Sequence, residues 1–253
     1  MPAPRNVFKE RLFAGKSQIG LWVSLGDPSV AELVAGCGFD WLVIDGEHGP
    51  NGLRDVLAQL RAVGQGTHPV VRTRDDNRAL IKQMLDIGAQ TLLIPMIESG
   101  EQAREAVRSV LYPPQGARGV GAMLARASGY GSVPDYLATA DDEICLLLQV
   151  ESRAGLAALD DILTIPRVDG VFIGPADLAA DMGHRGNAAA EEVQIAVNDA
   201  LSRIRAAGKA AGILSADRSL AADYVEAGVE FVAVGSDVGV LRTALNSLRN
   251  AFP

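Results

Sequence analysis

Residues 41–64 read WLVIDGEHGPNGLRDVLAQLRAVG, and the plan of the whole chain is contained in them. Trp41–Asp45 is an apolar run closed by an acid. A strand with one wet face alternates polar and apolar residues, whereas an unbroken apolar run suits a strand covered on both faces. A glycine-punctuated turn follows, then a helical segment, Leu53–Val63, stopped by Gly64. Glycine just past a helix is a common stop, because it takes the backbone conformation that satisfies the last carbonyls.

The same strand–turn–helix unit recurs from end to end. The other expected strands are Ile19–Leu25, Pro69–Thr73, Thr91–Pro95, Ile144–Val150, Gly170–Ile173, Ala210–Leu214 and Phe231–Val234. Helical segments between them include Ala79–Ile87, Gln102–Leu111, Glu191–Ala207 and Leu220–Ala227. Strict alternation of strand and helix gives a parallel sheet. The 253 residues match the roughly 250 of one (β/α)8 barrel. The expectation is an α/β protein, a single (β/α)8 TIM barrel over residues 1–253; an open doubly wound sheet is the alternative. One long connection, Tyr112–Glu143, carries Pro113, Pro114, Pro134 and five glycines. Such a length inside a compact domain suggests a lid or a subunit contact.

Composition narrows the function classes. Hydrophobic residues are 48%, charged residues 21% and the formal net charge −8. Binding to a phosphate backbone needs clustered Lys and Arg, so nucleic acid is excluded as a partner. No stretch reaches the roughly 18 apolar residues of a membrane span, and the first sixteen residues lack the apolar core of a signal peptide. They read as a short amphipathic helix with Val7, Phe8, Leu12 and Phe13 on one side. Cys37 and Cys145 stand in apolar contexts without metal-type spacing, as buried thiols of a reducing compartment would. The expected location is cytoplasmic.

In a parallel barrel the active site lies at the C-terminal ends of the strands. That rule selects the turn Asp45-Gly46-Glu47-His48-Gly49 after one strand, with its acids and histidine, and Arg72 at the end of another. It also selects Gln149 and Glu151 on a third, and Gly174-Pro175-Ala176-Asp177 after a fourth. Glu151 and Asp177 follow neighbouring strands. Two carboxylates meeting on a rim repel unless a proton or cation lies between them, and such a pair with waters suits a Mg²⁺-like or Mn²⁺-like ion. Solvated loop acids are the plain alternative. Arg72 closing an apolar strand is placed to grip a carboxylate or to form an internal salt bridge. His48 is a candidate acid or base, or a histidine satisfied within its loop. His68 precedes its strand and belongs to the opposite face. Ser236 after the last strand is read first as a helix N-cap.

The four lysines, Lys9, Lys16, Lys82 and Lys209, all fall away from that rim. A Schiff-base mechanism is therefore disfavoured, which leaves metal assistance for any enolate.

Several stretches together resemble the HpcH/HpaI aldolase family. They are GLWVS at Gly20–Ser24, FDWLVIDGEH at Phe39–His48, PVVR at Pro69–Arg72 and QTLLIPM at Gln90–Met96. YPPQGARGVG at Tyr112–Gly121 and VDGVFIGPADL at Val168–Leu178 complete the set, and the likeness runs essentially end to end. The resemblance implies a lyase, a class II pyruvate aldolase dependent on a divalent metal (Mg²⁺, Mn²⁺ or Co²⁺) held by Glu151 and Asp177. It implies that Arg72 stabilises the enolate and that His48 takes part in proton transfer. The resemblance offers Asp45 and Asp86 as alternatives for the acid that orients the histidine. Substrate contacts are expected from Arg72, Gln149, Gly174, Ala176, Asp177, Trp22, Leu214 and Ser236. A homohexamer is implied, with the last helix on a neighbouring subunit, as is a place in aromatic-compound catabolism.

The implied reaction is reversible cleavage of a 4-hydroxy-2-oxo acid to pyruvate and an aldehyde. The departures at Thr73–Asn77, Asn187–Ala190 and Ser236 bear on the choice of aldehyde rather than on the metal ligands. A 2-keto-3-deoxy sugar-acid aldolase on the same core is one rival. A non-catalytic ligand-binding barrel is the other; it predicts loss of an acid or of Arg72, and all three residues are present.

Overall fold

The eight apolar runs become eight parallel strands that close into a barrel in sequence order. The computed structural model describes all residues, 1–253. The strands are β1 Gln18–Val23, β2 Trp41–Asp45, β3 His68–Arg72, β4 Thr91–Ile94, β5 Cys145–Val150, β6 Gly170–Ile173, β7 Ala210–Leu214 and β8 Phe231–Ser236. The first six helices are α1 Val7–Phe13, α2 Pro28–Ala35, α3 Leu53–Val63, α4 Arg78–Asp86, α5 Gly100–Val110 and α6 Tyr136–Glu143. The rest are α7 Arg153–Leu163, α8 Pro175–Asp181, α9 Glu191–Ala206, α10 Arg218–Glu226 and α11 Asp237–Asn250. No helix is long and apolar enough to cross a membrane.

Hydrogen bonding explains where strand ends differ from expectation. β1 stops at Val23 because the N–H groups of Ser24 and Leu25 donate to the buried carboxylate of Asp237 instead of a strand. β3 starts one residue early because His68 N–H donates to Asp40 O at 3.2 Å.

Two apolar layers hold the barrel. Outward-facing strand residues such as Ile44, Val71, Leu92 and Ile173 pack on the helices. Inward-facing ones, including Trp22, Trp41, Val43, Leu147, Phe172 and Phe231, fill the interior. Trp41 lies so close to β1 that a Cβ on Gly20 would come within 2.6 Å of its Cζ2. A glycine there is what lets the indole occupy the interior. Phe8 and Leu12 of α1 plug the N-terminal end of this interior.

Three expectations need correction. Only Phe8 and Leu12 of the first helix are buried, while Val7 and Phe13 face outward; a seven-residue helix over a narrow barrel mouth has one short buried stripe. Cys145 is buried but Cys37 is exposed, since it follows the end of α2 at the surface. The Tyr112–Glu143 connection is no lid over this chain's own rim. Its residues bond to the strand N-terminal end: Ala3 N–H to Thr139, Arg118 to Asp86 at the end of α4, and Arg126 to Ile87 O. A segment joining a helix to the next strand runs along that end by topology. It is also part-helical, containing α6 and two 3-10 turns, Ala122–Leu124 and Arg126–Ser128.

Candidate active site

Side chains along a strand alternate between the two faces of the sheet. Trp41 and Val43 point into the barrel, so Asp45 shares their face. The same parity carries Val70 to Arg72, and Cys145 and Leu147 to Gln149 and Glu151. Phe172 leads to Gly174 in the same way. The C-terminal end of the interior is thus a polar layer set on an aromatic floor, and Trp22 forms part of that floor, 5.4 Å from Phe172 between ring centroids.

Asp45 and Arg72 are register partners across β2 and β3. Arg72 Nε donates to Asp45 Oδ1 at 2.8 Å, and its Nη1 lies 2.6 Å from Glu47 Oε2. The guanidinium carbon sits 5.2 Å from the Trp22 ring centroid, a cation–π distance. Asp45 Oδ1 also accepts the N–H groups of Glu47 and His48, which folds the turn back over the strand end. Burial pushes the Asp45 carboxyl up, but the Arg72 hydrogen bond and charge outweigh it, leaving Asp45 below its usual range. Glu47 ends above its usual range: burial raises it more than Arg72 lowers it, and the nearby charge of Glu151 adds to the rise. The His48 ring is 69% exposed, with Nε2 3.9 Å from Glu47 Oε1.

Glu151 is buried. One oxygen accepts from Met96 N–H at 2.9 Å and the other accepts from Gln149 Nε2. Burial raises its carboxyl above the usual range despite those bonds, and the charge of Asp177 raises it further. Asp177 stands in the first turn of α8. Gly174, between them, leaves no room for a side chain, since a Cβ there would overlap the Glu151 carboxylate. Gln149 Oε1 is a buried oxygen without a hydrogen-bond donor, and Glu47 Oε2 meets Arg72 Nη1 as a close ion pair off the line of a hydrogen bond.

The rim thus carries four carboxylates, those of Asp45, Glu47, Glu151 and Asp177, and one guanidinium. Asp45 and Glu47 share Arg72, while Glu151 and Asp177 have no cation between them. Hard oxygen donors with a charge deficit fit a hard divalent ion. No group of three or more His, Cys, Asp or Glu is clustered for a metal. The pair could hold such an ion only in an open site, with positions left for water or substrate oxygens.

The remaining expected residues divide. Ala176 lies beside Asp177 in the first turn of α8, and Leu214 ends β7 against the interior cluster. Ser236 acts as the N-cap of α11, its hydroxyl accepting from Gly239 N–H at 3.1 Å. Asp86 does not join the group in this chain. It ends α4 at the opposite end of the barrel, where it accepts from Arg118 at 2.9 Å. A helix antiparallel to the strands carries its last residue away from the rim, so Asp86 does not orient His48 of the same chain. Glu47 is the residue whose partnership the sequence reading left out. Its signal was available: it stands two residues past Asp45, in a turn that Asp45 closes. None of the lysines reaches the rim. Lys9 pairs with Asp169 at 3.4 Å, and Lys209 donates to Ile165 O and Val168 O, all at the N-terminal ends of strands.

The chain is similar to known proteins along nearly its whole length. Residues 18–244 match the model of the HpcH/HpaI aldolase/citrate lyase family. A hydroxypyruvate/pyruvate aldolase from Pseudomonas aeruginosa is 58% identical over 253 residues, covering 100% of this chain and 94% of that protein. A 4-hydroxy-2-oxo-heptane-1,7-dioate aldolase from Klebsiella pneumoniae is 54% identical, covering 98% of this chain and 94% of its own length. The crystal structure of a family protein from Burkholderia cenocepacia J2315 superposes with a TM-score of 0.94 at 41% identity, covering 98% of this chain and 100% of that one.

Proposed function

Since the chain belongs to the HpcH/HpaI aldolase/citrate lyase family and is a carbon–carbon lyase, we propose that it is a class II pyruvate aldolase whose divalent metal is held by Glu151 and Asp177. The observation that carries this reading is the pair of rim carboxylates beside a fixed guanidinium, with a buried Glu151 raised by burial and by Asp177. The reaction is reversible cleavage of a 4-hydroxy-2-oxo acid to pyruvate and an aldehyde. The names of the relatives extend the donor to hydroxypyruvate.

Held by Glu151 and Asp177, a divalent ion such as Mg²⁺, Mn²⁺ or Co²⁺ would supply positive charge for the 2-keto oxygen. Arg72 presents its unpaired Nη2 to the oxygens on which charge grows as the C3–C4 bond breaks, a preorganised donor that needs no reorientation. His48, exposed at the mouth, takes the proton of the C4 hydroxyl as the C3–C4 bond breaks, and then gives that proton to C3 of the enolate, so that pyruvate and the aldehyde form with no net proton change. In the addition direction the ring takes a proton from C3 of pyruvate and returns it to the new C4 hydroxyl. Gln149 holds one Glu151 oxygen, and Gly174 with Ala176 lets substrate approach the backbone at the start of α8. Trp22 and Leu214 line the aldehyde side.

The reading includes a homo-oligomer, a hexamer by family likeness, in the cytoplasm. The support is α11, which exposes Val240, Leu241, Leu245 and Leu248 and buries only Asp237.

A coupled pyruvate-release assay over a panel of hydroxy-oxo acids, before and after chelation, tests the proposal. Metal-free protein should be inactive and divalent ions should restore it. Calorimetry should show Mn²⁺ binding that Glu151→Ala and Asp177→Ala each abolish. Full turnover without metal, or a borohydride-trapped pyruvate adduct on a lysine, overturns it.

A further inference from the structure

We infer that Glu47 is a positioning residue for the aldol chemistry: with Asp45 it fixes the plane of the Arg72 guanidinium and leaves Nη2 directed at the reacting oxygens. The inference rests on the pyruvate-aldolase reading and adds a role that the metal ligands, Arg72 and His48 do not cover.

The geometry is specific. A guanidinium held only through Nε can still tilt and swing about its last side-chain bonds. Asp45 supplies that one contact, Nε to Oδ1 at 2.8 Å. Glu47 supplies a second at the far end, 2.6 Å from Nη1, and the Trp22 ring lies 5.2 Å from the guanidinium carbon on one face. Two edge contacts and one face contact define a plane. Nη2, between the two held nitrogens, has no partner in the chain.

Glu47 is itself held in place. Its side chain is 13% exposed, and its backbone N–H donates to Asp45 Oδ1 at 3.1 Å. One Asp45 oxygen therefore fastens both the guanidinium and the turn that delivers Glu47 to it. A solvated surface pair would be free to exchange partners; this one is largely shielded, with side chains 8% and 13% exposed, so removing Glu47 leaves Arg72 with one acidic partner and an added degree of freedom. A displacement of about 1 Å in a catalytic group can cost roughly 10²-fold in rate. The loss should appear in turnover rather than in binding, because the enolate-like charge that Nη2 meets is greatest in the transition state.

The test compares Glu47→Ala, Glu47→Gln and Glu47→Asp with the unmodified enzyme. Glu47→Ala should lower kcat by about 10²-fold, with KM nearly unchanged. Glu47→Gln keeps an acceptor oxygen and should recover part of the loss; it also serves if the alanine variant folds poorly. Calorimetric Mn²⁺ affinity of the metal-free proteins and their melting temperatures should stay close to those of the parent. Combined with Arg72→Lys, Glu47→Ala should cost little more than Arg72→Lys alone, since both act through one guanidinium. Unchanged kcat in Glu47→Ala, full additivity with Arg72→Lys, or a loss confined to KM each overturns the inference. So does a loss of Mn²⁺ affinity as large as that of Glu151→Ala, which would make Glu47 a metal ligand. If the unmodified protein releases no pyruvate from any substrate, the reading beneath falls as well. An active parent with an unaffected Glu47 variant removes this inference alone.

Discussion

A Cβ on Gly174 would lie 2.8 Å from the Cβ of Glu151 and would overlap its Oε2. The backbone at Gly174 is extended, φ −92° and ψ 93°, so the requirement for glycine is steric rather than conformational. Glycine between β6 and α8 is what allows Glu151 to stand upright beside Asp177.

Gly174→Ala should therefore spare the fold and damage the site. The added methyl must push the Glu151 carboxylate aside, and overpacking of this kind typically costs about 1–3 kcal/mol. Mn²⁺ affinity of the metal-free protein, measured by calorimetry, should fall at least about tenfold, which corresponds to ~1.4 kcal/mol. Aldolase activity should fall with it while circular dichroism stays unchanged. Parent-like metal binding in this variant would mean that Glu151 is not a ligand in the position it takes here.

Arg72→Lys should be severely impaired. Lysine has a single nitrogen and cannot meet Asp45, Glu47 and a substrate oxygen at the angles a planar fork provides. Loss of one preorganised donor to a developing oxyanion typically costs about 10²–10³-fold in kcat, and that range is expected in steady-state pyruvate release. Near-normal turnover would make Arg72 a structural ion-pair residue serving Asp45 and Glu47.

Much of this arrangement is legible in the sequence, and the reason is periodicity. A parallel barrel needs unbroken apolar strands, so a polar residue at a strand end stands out, as Asp45, Arg72, Gln149 and Glu151 do. The same logic places His68 at the other end. What sequence does not carry is the direction of a turn's side chains. Glu47 and His48 are adjacent, yet Glu47 turns in to Arg72 and His48 turns out to solvent. Asp86 illustrates a second gap: a likeness between sequences assigns it a role, but α4 carries it to the far end of this chain. The lid reading of the long connection fails for a simpler reason, since a segment after a helix must lie at the strand N-terminal end.

His68 gives the protein a pH response unrelated to the site. Burial, with a smaller contribution from the charge of Arg11, lowers its pKa from 6.5 to about 4. The ring stacks on Phe8 at 5.2 Å, and Nε2 lies 2.8 Å from Thr91 Oγ1. Between pH 4 and 6.5 the unfolded chain binds more protons than the folded one, so stability rises with pH across that window. It is lost as pH falls from 6.5 toward 4, by at most about 3 kcal/mol. Urea unfolding at pH 4.5 and pH 7 should show this difference in the parent. In His68→Gln, which keeps a partner for Thr91 but does not titrate, the difference should shrink. An equal pH response in both proteins would place the proton-linked loss elsewhere.

Breadth toward the aldehyde follows from what lines the mouth. On the proposed reading the donor is recognised by charge: two carboxylates through a metal, and a guanidinium held on two edges. The aldehyde side offers Trp22, which is buried and whose ring lies beside Arg72, and Leu214, which packs on the same interior cluster. The Tyr112–Glu143 connection lies at the other end of the barrel, so within one chain no polar loop from it reads the aldehyde. An apolar wall discriminates weakly. One methylene is worth about 1–3 kcal/mol, and an added hydroxyl is rejected by only about 10². The enzyme should therefore accept several aldehydes, short hydroxylated ones included, with kcat/KM values inside about two orders of magnitude. Two-oxo acids other than pyruvate and hydroxypyruvate should react far less well. The measurement is kcat/KM across an aldehyde series with one donor, then across a donor series with one aldehyde. A preference of 10⁴-fold or more for a single aldehyde, the scale of a dedicated hydrogen-bonding site, would require polar aldehyde contacts beyond the single indole N–H of Trp22, and the apolar-wall account would fail.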